Sequence, residues 1–244
     1  MSTGGAVLAA EAEGPLFRQL GDGVVTLVVG EDKRTFTVHK KKLCEKIPHF
    51  KKMFNVPFQA GQTQSAKLPE DNPGAIESML GWVYLDRIEV VRDEGGKGKH
   101  IDLTRYLNLY SLAEKYGCTK LADLTMDFIA KETLASNCML SPLMMKLCYD
   151  LCSANSKLRL FAARCFAYCT LQLSDSTGNG TWSSEKIHNA LWASIDLSKD
   201  YYGLLRSQSG KAPLDPRSAF ACDYHQHAKT EMCPYNKKRK TPGE

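Results

Sequence analysis

The first apolar run of the chain predicts a β-hairpin. Residues 24–29 (VVTLVV) are apolar or β-branched and lie between two glycines, as expected for a strand with little water on either face. A polar turn occupies residues 30–34, and residues 35–39 then alternate between polar and apolar side chains. This alternation is the period of a second strand, and we expect Phe36 and Val38 to face the core.

The next apolar positions recur with helical spacing. Steps of four, three and four residues separate Leu43, Ile47, Phe50 and Phe54, which places them on one helical face. Pro48 lies within this pattern, and proline is excluded from a helix interior but is favoured in a first turn. The pattern therefore predicts two short helices that meet at Pro48.

Loop and helix signals alternate over the following residues. We expect a polar loop at 55–65, a short strand at 66–68, and a helix that begins at the capping pair Asn72-Pro73. The glycine- and charge-rich residues 92–100 predict a loop. Two more helices are then expected, separated by Gly117, a residue typical of helix ends.

A second helical block begins at Ser141-Pro142, again a capping residue followed by proline. Apolar stripes predict two antiparallel helices and, after the polar stretch 174–181, a third helical segment around Ile187. Beyond Arg206 the chain is rich in Ser, Pro, Gly and charge. This composition predicts a tail with no core of its own.

Composition narrows the class of protein. The 244 residues are 43% hydrophobic and 24% charged, which excludes disordered, collagenous and fibrous chains. Apolar stretches fall short of the roughly 18 residues that a bilayer requires, so we expect no membrane partner. The first residues lack the basic and apolar regions of a secretory signal. We therefore expect a reducing compartment, in which the nine cysteines stay free of disulfides.

The order of these motifs resembles the BTB/POZ domain. A strand is followed by a strand ending in Val-His-Lys, by paired short helices, by Leu-Pro-Glu and by a helix ending in Trp-x-Tyr. A Leu-Ala-x-Lys-Tyr helix completes the series. The resemblance spans residues 22–132 and is carried by VTLVVG (25–30), FTVHKKKLC (36–44), PHFKKMF (48–54), LPEDNP (68–73), MLGWVYLDRI (79–88) and LYSLAEKYGCTKLAD (109–123).

The resemblance implies an α+β fold, with a small sheet and surrounding short helices, followed by an α-helical extension. It divides the chain into an N-terminal segment (1–21), the BTB/POZ domain (22–132), the helical extension (133–206) and a basic tail with cysteine and histidine (207–244). The last two parts are similar to those of small fungal proteins of this family, although this part of the resemblance is looser.

The resemblance further implies a non-catalytic protein-interaction module that forms a homodimer and recruits other proteins. We expect Leu16, Phe17 and Leu20 to be buried on dimerisation. Some relatives are adaptors of cullin-3 ubiquitin ligases, which is the alternative function. The φ-x-E element of adaptors has its nearest counterpart in Val91-Arg92-Asp93, and no separate substrate-reading domain follows. No nucleophile and base, phosphate loop or carboxylate pair suggests an enzyme.

One cysteine and histidine pattern could bind a metal. Cys222, His225, His227 and Cys233 lie within twelve positions and supply the two thiolates and two imidazoles that tetrahedral zinc accepts. Bound zinc would order a tail with little hydrophobic material. The alternative is a tail without metal, either flexible or packed. The spacing differs from that of nucleic-acid-reading fingers.

A second cysteine group is interpreted as structural. Two Cys-x3-Cys pairs could offer four thiolates, but their cysteines lie on the predicted apolar stripes and free cysteine is often buried as a small hydrophobe. They are Cys148, Cys152, Cys165 and Cys169. His39 and Cys44 could form a reactive pair, although we expect both to be structural.

The basic run 237–240 (KKRK) suggests a nuclear localisation signal, so we expect the nucleus, the cytoplasm or both. A zinc-dependent nuclear or nucleic-acid-associated factor is the third hypothesis. Nucleic acid is not favoured as a partner, because neither a recognition helix nor an aromatic stacking platform accompanies the run.

Overall fold

The computed structural model describes residues 16–56, 59–93, 101–172, 182–227 and 233–235. The chain divides into two compact units, residues 1–73 and 74–244. Among the described helices, none combines the length and apolar character needed to cross a bilayer. The basic run 237–240 and the stretch 174–181 lie outside the described residues.

A three-stranded sheet organises the first unit. Strands β1 (Val24–Val29), β2 (Arg34–His39) and β3 (Ser65–Leu68) lie in the order β2-β1-β3. The predicted hairpin is confirmed, since β1 is antiparallel to β2, and β3 is parallel to β1. Val38 is buried as expected. Phe36 is only half-buried, because β2 is an edge strand, and its ring lies 4.9 Å beneath the Arg34 guanidinium.

Four short helices complete the described part of the first unit. They are α1 (Leu16–Leu20), α2 (Lys40–Lys46), α3 (Pro48–Asn55) and α4 (Gln59–Thr63). The break at Pro48 is confirmed, and the predicted apolar face is fully buried. Helix α4 lies where we expected a loop at 55–65. Its sequence QAGQT has no apolar stripe, so no periodic signal was available to predict it.

The second unit is helical. Its elements are α5 (Pro73–Leu85), α6 (Leu103–Lys115), α7 (Thr119–Ala135), α8 (Pro142–Leu151), α9 (Lys157–Gln172), α10 (Ser184–Ala193) and α11 (Ile195–Gln208). The Ser141 side chain caps α8 as predicted. Gly117 has φ +64° between α6 and α7. The expected third helical segment is two helices, because Ser194 caps a new start. Of the expected loop at 92–100, residues 94–100 lie outside the described residues.

Residues 211–235, named here the C-terminal segment, are packed where they are described, and residues 216–218 contact α7 and α9. Tyr224 and His225 are 3% and 1% exposed. The Arg217 guanidinium donates to the carbonyl oxygens of Thr133 (3.4 Å) and Cys138 (2.9 Å). A few strong contacts thus fix a segment whose polar composition suggested none.

Candidate metal centre

Four side chains of the C-terminal segment lie close together. The candidate ligand atoms of Cys222, His225, His227 and Cys233 all lie within 4.8 Å of one another. His225 is buried and the other three are half-buried. Two sulfur and two imidazole donors at this spacing could hold a metal ion.

Short backbone turns position the first two of these residues. Cys222 lies in a 3₁₀ turn, Ala221–Asp223, and the Asp223 carboxylate accepts a 3.0 Å hydrogen bond from Arg164 on α9. The Tyr224 ring packs edge-on against Phe161, with 5.2 Å between centroids. The chain between Cys222 and His225 is therefore fixed on both sides.

His225 is oriented by a carboxylate from helix α7. Its Nε2 lies 2.9 Å from Oδ1 of Asp127, and its Nδ1 lies 3.5 Å from Sγ of Cys233. In its neutral form, an imidazole that donates from Nε2 to a carboxylate keeps a lone pair on Nδ1. The neutral His225 ring would therefore direct this electron pair towards the cysteine and histidine cluster, and metal binding at Nδ1 would require loss of the second ring proton.

A second aspartate of α7 holds the backbone beside this histidine. The Asp123 carboxylate accepts a 2.7 Å hydrogen bond from the Gln226 N–H, and the Gln226 side chain donates to the Tyr110 hydroxyl at 2.8 Å. Burial raises the pKa of Asp123, although the Gln226 N–H and the nearby histidines oppose this effect. Asp123 and Asp127 lie about a hundred positions from the cluster, so no local sequence pattern could identify them.

The protonation chemistry of the cluster favours a thiolate. Burial acts to lower the pKa of His225, but the hydrogen bond and charge of Asp127 outweigh it and raise the value to about 9. Burial acts to raise the pKa of Cys233, whereas hydrogen bonds from the Tyr235 backbone and from His225 lower it to about 7. The thiolate is the form of cysteine that binds metals.

The four cysteines of the helical extension are buried, and their pKa values are raised rather than lowered. Cys148, Cys152, Cys165 and Cys169 are all buried, and burial raises their pKa values, for Cys152 and Cys169 to about 12. They form no metal-ligating cluster within the described part of the chain. They are neutral thiols of the helical core.

The pair His39 and Cys44 also has a structural position. His39 ends strand β2, and Cys44 is a buried residue of α2. Burial raises the pKa of the Cys44 thiol more strongly than the charge of Lys40 lowers it. A cysteine in this environment is a poor nucleophile at neutral pH.

Exposed apolar side chains mark a surface of the helical extension. Leu143 on α8, Trp192 on α10 and Ile195 on α11 are 77%, 82% and 71% exposed. A cavity of about 380 Å³ lies beside Leu143 and is lined by residues of α8 and α10. A contiguous patch of such groups would mark a contact surface, and Leu143 beside the cavity is the candidate for one.

Comparison with known proteins gives one result for the fold. A search of curated proteins found no match. The family model of the BTB/POZ domain matches residues 21–133, which include the sheet, the short helices around it, and α5 to α7. Residues 21–133 of this chain therefore belong to the BTB/POZ domain family.

Proposed function

We propose that this chain is a non-catalytic interaction module that self-associates and recruits other proteins through its BTB/POZ domain. The observation that carries the proposal is the family match over residues 21–133, because a BTB/POZ domain implies a protein–protein interaction module. The absence of a catalytic role is supported by Cys44 and the core cysteines, which were candidates for reactive groups. They are buried thiols with raised pKa values.

Self-association is supported by apolar residues around helix α1. The helix packs on α2, where Lys41 and Lys42 donate to the Arg18 carbonyl (3.5 Å) and the Gln19 side chain (3.4 Å). Leu20 is half-buried and Val24, at the start of β1, is 49% exposed. A second copy that covered these side chains would form the apolar contact typical of stable homodimers.

Co-expression of two differently tagged copies tests this proposal. Capture of one tag should recover the other, and Leu20→Asp should reduce the recovery at least tenfold because it places a carboxylate in the apolar contact. Leu214→Asp is the matched control, since Leu214 is 88% exposed in the C-terminal segment. Circular dichroism verifies that both variants fold. Equal recovery of wild type and Leu20→Asp would refute the α1 contact.

The alternative function is that of a substrate adaptor for a cullin-3 ubiquitin ligase. It is favoured by the helical extension, which presents exposed Leu143 beside the cavity between α8 and α10 soon after the BTB/POZ domain. The partner would be a helical surface of the ligase that covers Leu143. Client proteins would then be read by another part of the extension.

Calorimetry with the purified N-terminal domain of cullin-3 tests the alternative. The wild-type chain should bind, and Leu143→Asp should bind at least tenfold more weakly. Leu214→Asp introduces the same charge at another exposed leucine. It should bind like wild type because Leu214 lies outside the proposed contact. Absence of wild-type binding would eliminate the adaptor role and leave self-association unaffected.

The basic run 237–240 supports a place in the nucleus, the cytoplasm or both, and a nuclear factor acting through residues 222–240 is the third hypothesis. Imaging of a fluorescent fusion tests it, with the four basic residues replaced by alanine as the variant. A nuclear signal that falls in this variant supports import by the run, and an unchanged distribution counts against it.

A further inference from the structure

We propose that Cys222, His225, His227 and Cys233 bind one zinc ion, and that this ion fastens the C-terminal segment to helix α7 of the BTB/POZ domain. The fastening runs from the ion through His225 to the Asp127 carboxylate. This role extends beyond the proposed interaction function, because it makes the docking of the C-terminal segment dependent on metal.

The donor geometry fits zinc. Tetrahedral zinc with Zn–S near 2.3 Å and Zn–N near 2.0–2.1 Å separates its ligand atoms by about 3.3–3.8 Å. The distance from Nδ1 of His225 to Sγ of Cys233 is 3.5 Å, and all four donors lie within 4.8 Å. Metal binding therefore requires contraction of about 1.5 Å or less, and the mixed sulfur and nitrogen set matches structural zinc.

The surroundings of His225 provide an independent reason for a metal. Metal-binding histidines generally donate their second ring nitrogen to a carboxylate, which fixes the tautomer and raises the basicity of the ligand atom. His225 has this arrangement, with Nε2 2.9 Å from Asp127 and Nδ1 facing the cluster. The ring is 1% exposed, so its orientation is set by α7 and the segment together.

The contacts of the segment explain what zinc would add. The described residues dock through polar contacts. The Gln226 N–H donates to Asp123, and Arg217 donates to one carbonyl in the last turn of α7 and to one just beyond it. Tyr224 is the large apolar side chain that the segment buries. Hydrophobic burial on this scale stabilises a docked segment only modestly, whereas binding of a metal to the folded form adds directly to its stability.

Elemental analysis of the purified full-length chain tests the metal. We expect one zinc per chain, loss of that zinc in Cys222→Ser and His225→Ala, and full retention in Cys138→Ser and His188→Ala. The two controls remove a half-buried cysteine and an exposed histidine outside the cluster. Cobalt substituted for zinc should give the absorption of a tetrahedral site with thiolate ligands.

Asp127→Asn tests the second half of the proposal and spares the four ligands. It should weaken zinc affinity by about 10- to 100-fold, the usual effect of removing such a carboxylate. Trypsin provides a readout of docking, because the Arg217 side chain is 7% exposed in the docked segment. Chelation of zinc should accelerate cleavage after Arg217 in the wild-type chain.

Three results would overturn the proposal. The first is a wild-type chain that contains no zinc and binds none when zinc is added. The second is a metal-free chain with a disulfide between Cys222 and Cys233. The third is zinc retained at full stoichiometry in Cys222→Ser. Unchanged tryptic cleavage after chelation would overturn the fastening role.

Discussion

Cysteine has two different roles in this chain, set by the environment of each residue. Cys148 and Cys165 are fully buried among helices, and burial raises the pKa of both thiols. Cys233 is half-buried and lies 3.5 Å from an imidazole nitrogen, with its pKa lowered to about 7. The same side chain therefore packs as a hydrophobe in the core and is a candidate metal ligand in the C-terminal segment.

Alkylation of the native chain checks the buried group. At neutral pH, iodoacetamide should modify half-buried Cys138 at least tenfold faster than Cys148 and Cys165, because the thiolate is the reactive form and must be accessible. Mass spectrometry of tryptic peptides measures each site, and urea-unfolded chain is the control in which the rates become similar. Rapid native alkylation of Cys148 would contradict its placement in the core.

The sequence predicted the four candidate metal ligands, but it did not predict the aspartate that contacts one of them. Cys222, His225, His227 and Cys233 lie close enough in the chain for their spacing to carry the signal. Asp127 is 98 positions from His225, and a single aspartate on an amphipathic helix is normally a solvated residue. Only the packing of the segment against α7 assigns it a role.

Individual elements depend on a few backbone conformations, and Gly30 is the clearest case. It connects β1 to the hairpin turn with φ +73°, and an added Cβ would lie 2.9 Å from Cγ of Pro73. Gly203 lies in helix α11 with open space around the position of a Cβ. The surroundings of Gly30 therefore require glycine, whereas those of Gly203 do not.

Replacement of each glycine by alanine tests this distinction. Gly30→Ala should lower the free energy of unfolding by about 1–3 kcal/mol, the cost of a strained left-handed residue. Gly203→Ala, the matched control, should raise it by about 0.5–1 kcal/mol because alanine favours the helix. Urea denaturation measures both. A Gly30→Ala chain as stable as wild type would refute the strain.

The second prediction at this scale concerns the attachment of the C-terminal segment. Hydrogen bonds from Arg217 lower the pKa of Asp215 despite the opposing effect of burial. The unfolded chain therefore binds a proton at a higher pH than the folded chain does. The stability contributed by the pair is complete above the ordinary pKa of about 4 and is lost as the pH falls through the lower folded value.

Asp215→Asn should consequently flatten the acid side of the stability profile. Between neutral pH and about pH 3, the variant should lose less unfolding free energy than wild type. Asp150→Asn is the control, because it removes an exposed ion pair with Lys146 and should keep the wild-type profile. Urea midpoints measured across this range decide the matter, and identical profiles for all three chains would contradict the role of the pair.

The success of prediction from sequence also differs between elements. The hairpin, the break at Pro48 and the cap at Ser141 follow from strong local signals, and each is present. Helix α4 was missed, and the packing of the C-terminal segment was left open, because both depend on tertiary contacts rather than on periodicity. The Arg217 links to carbonyls near the end of α7 are contacts of this kind.

For the whole molecule, the family match over residues 21–133 makes a protein-binding surface the expected site of function. The helical extension and the C-terminal segment add exposed leucines and a cysteine and histidine cluster to that domain. The variants proposed for metal binding and for self-association change different residues, so the two proposals can be tested independently. Zinc removal should release the C-terminal segment and leave the association through α1 intact.

Light scattering of the purified full-length chain tests the central claim of self-association most directly. At micromolar concentration the measured mass should be about 54 kDa, twice the 27.2 kDa of one chain, because the proposed contact around α1 would bury apolar surface in both copies. A mass of 27.2 kDa that stays constant across the micromolar range would contradict the account.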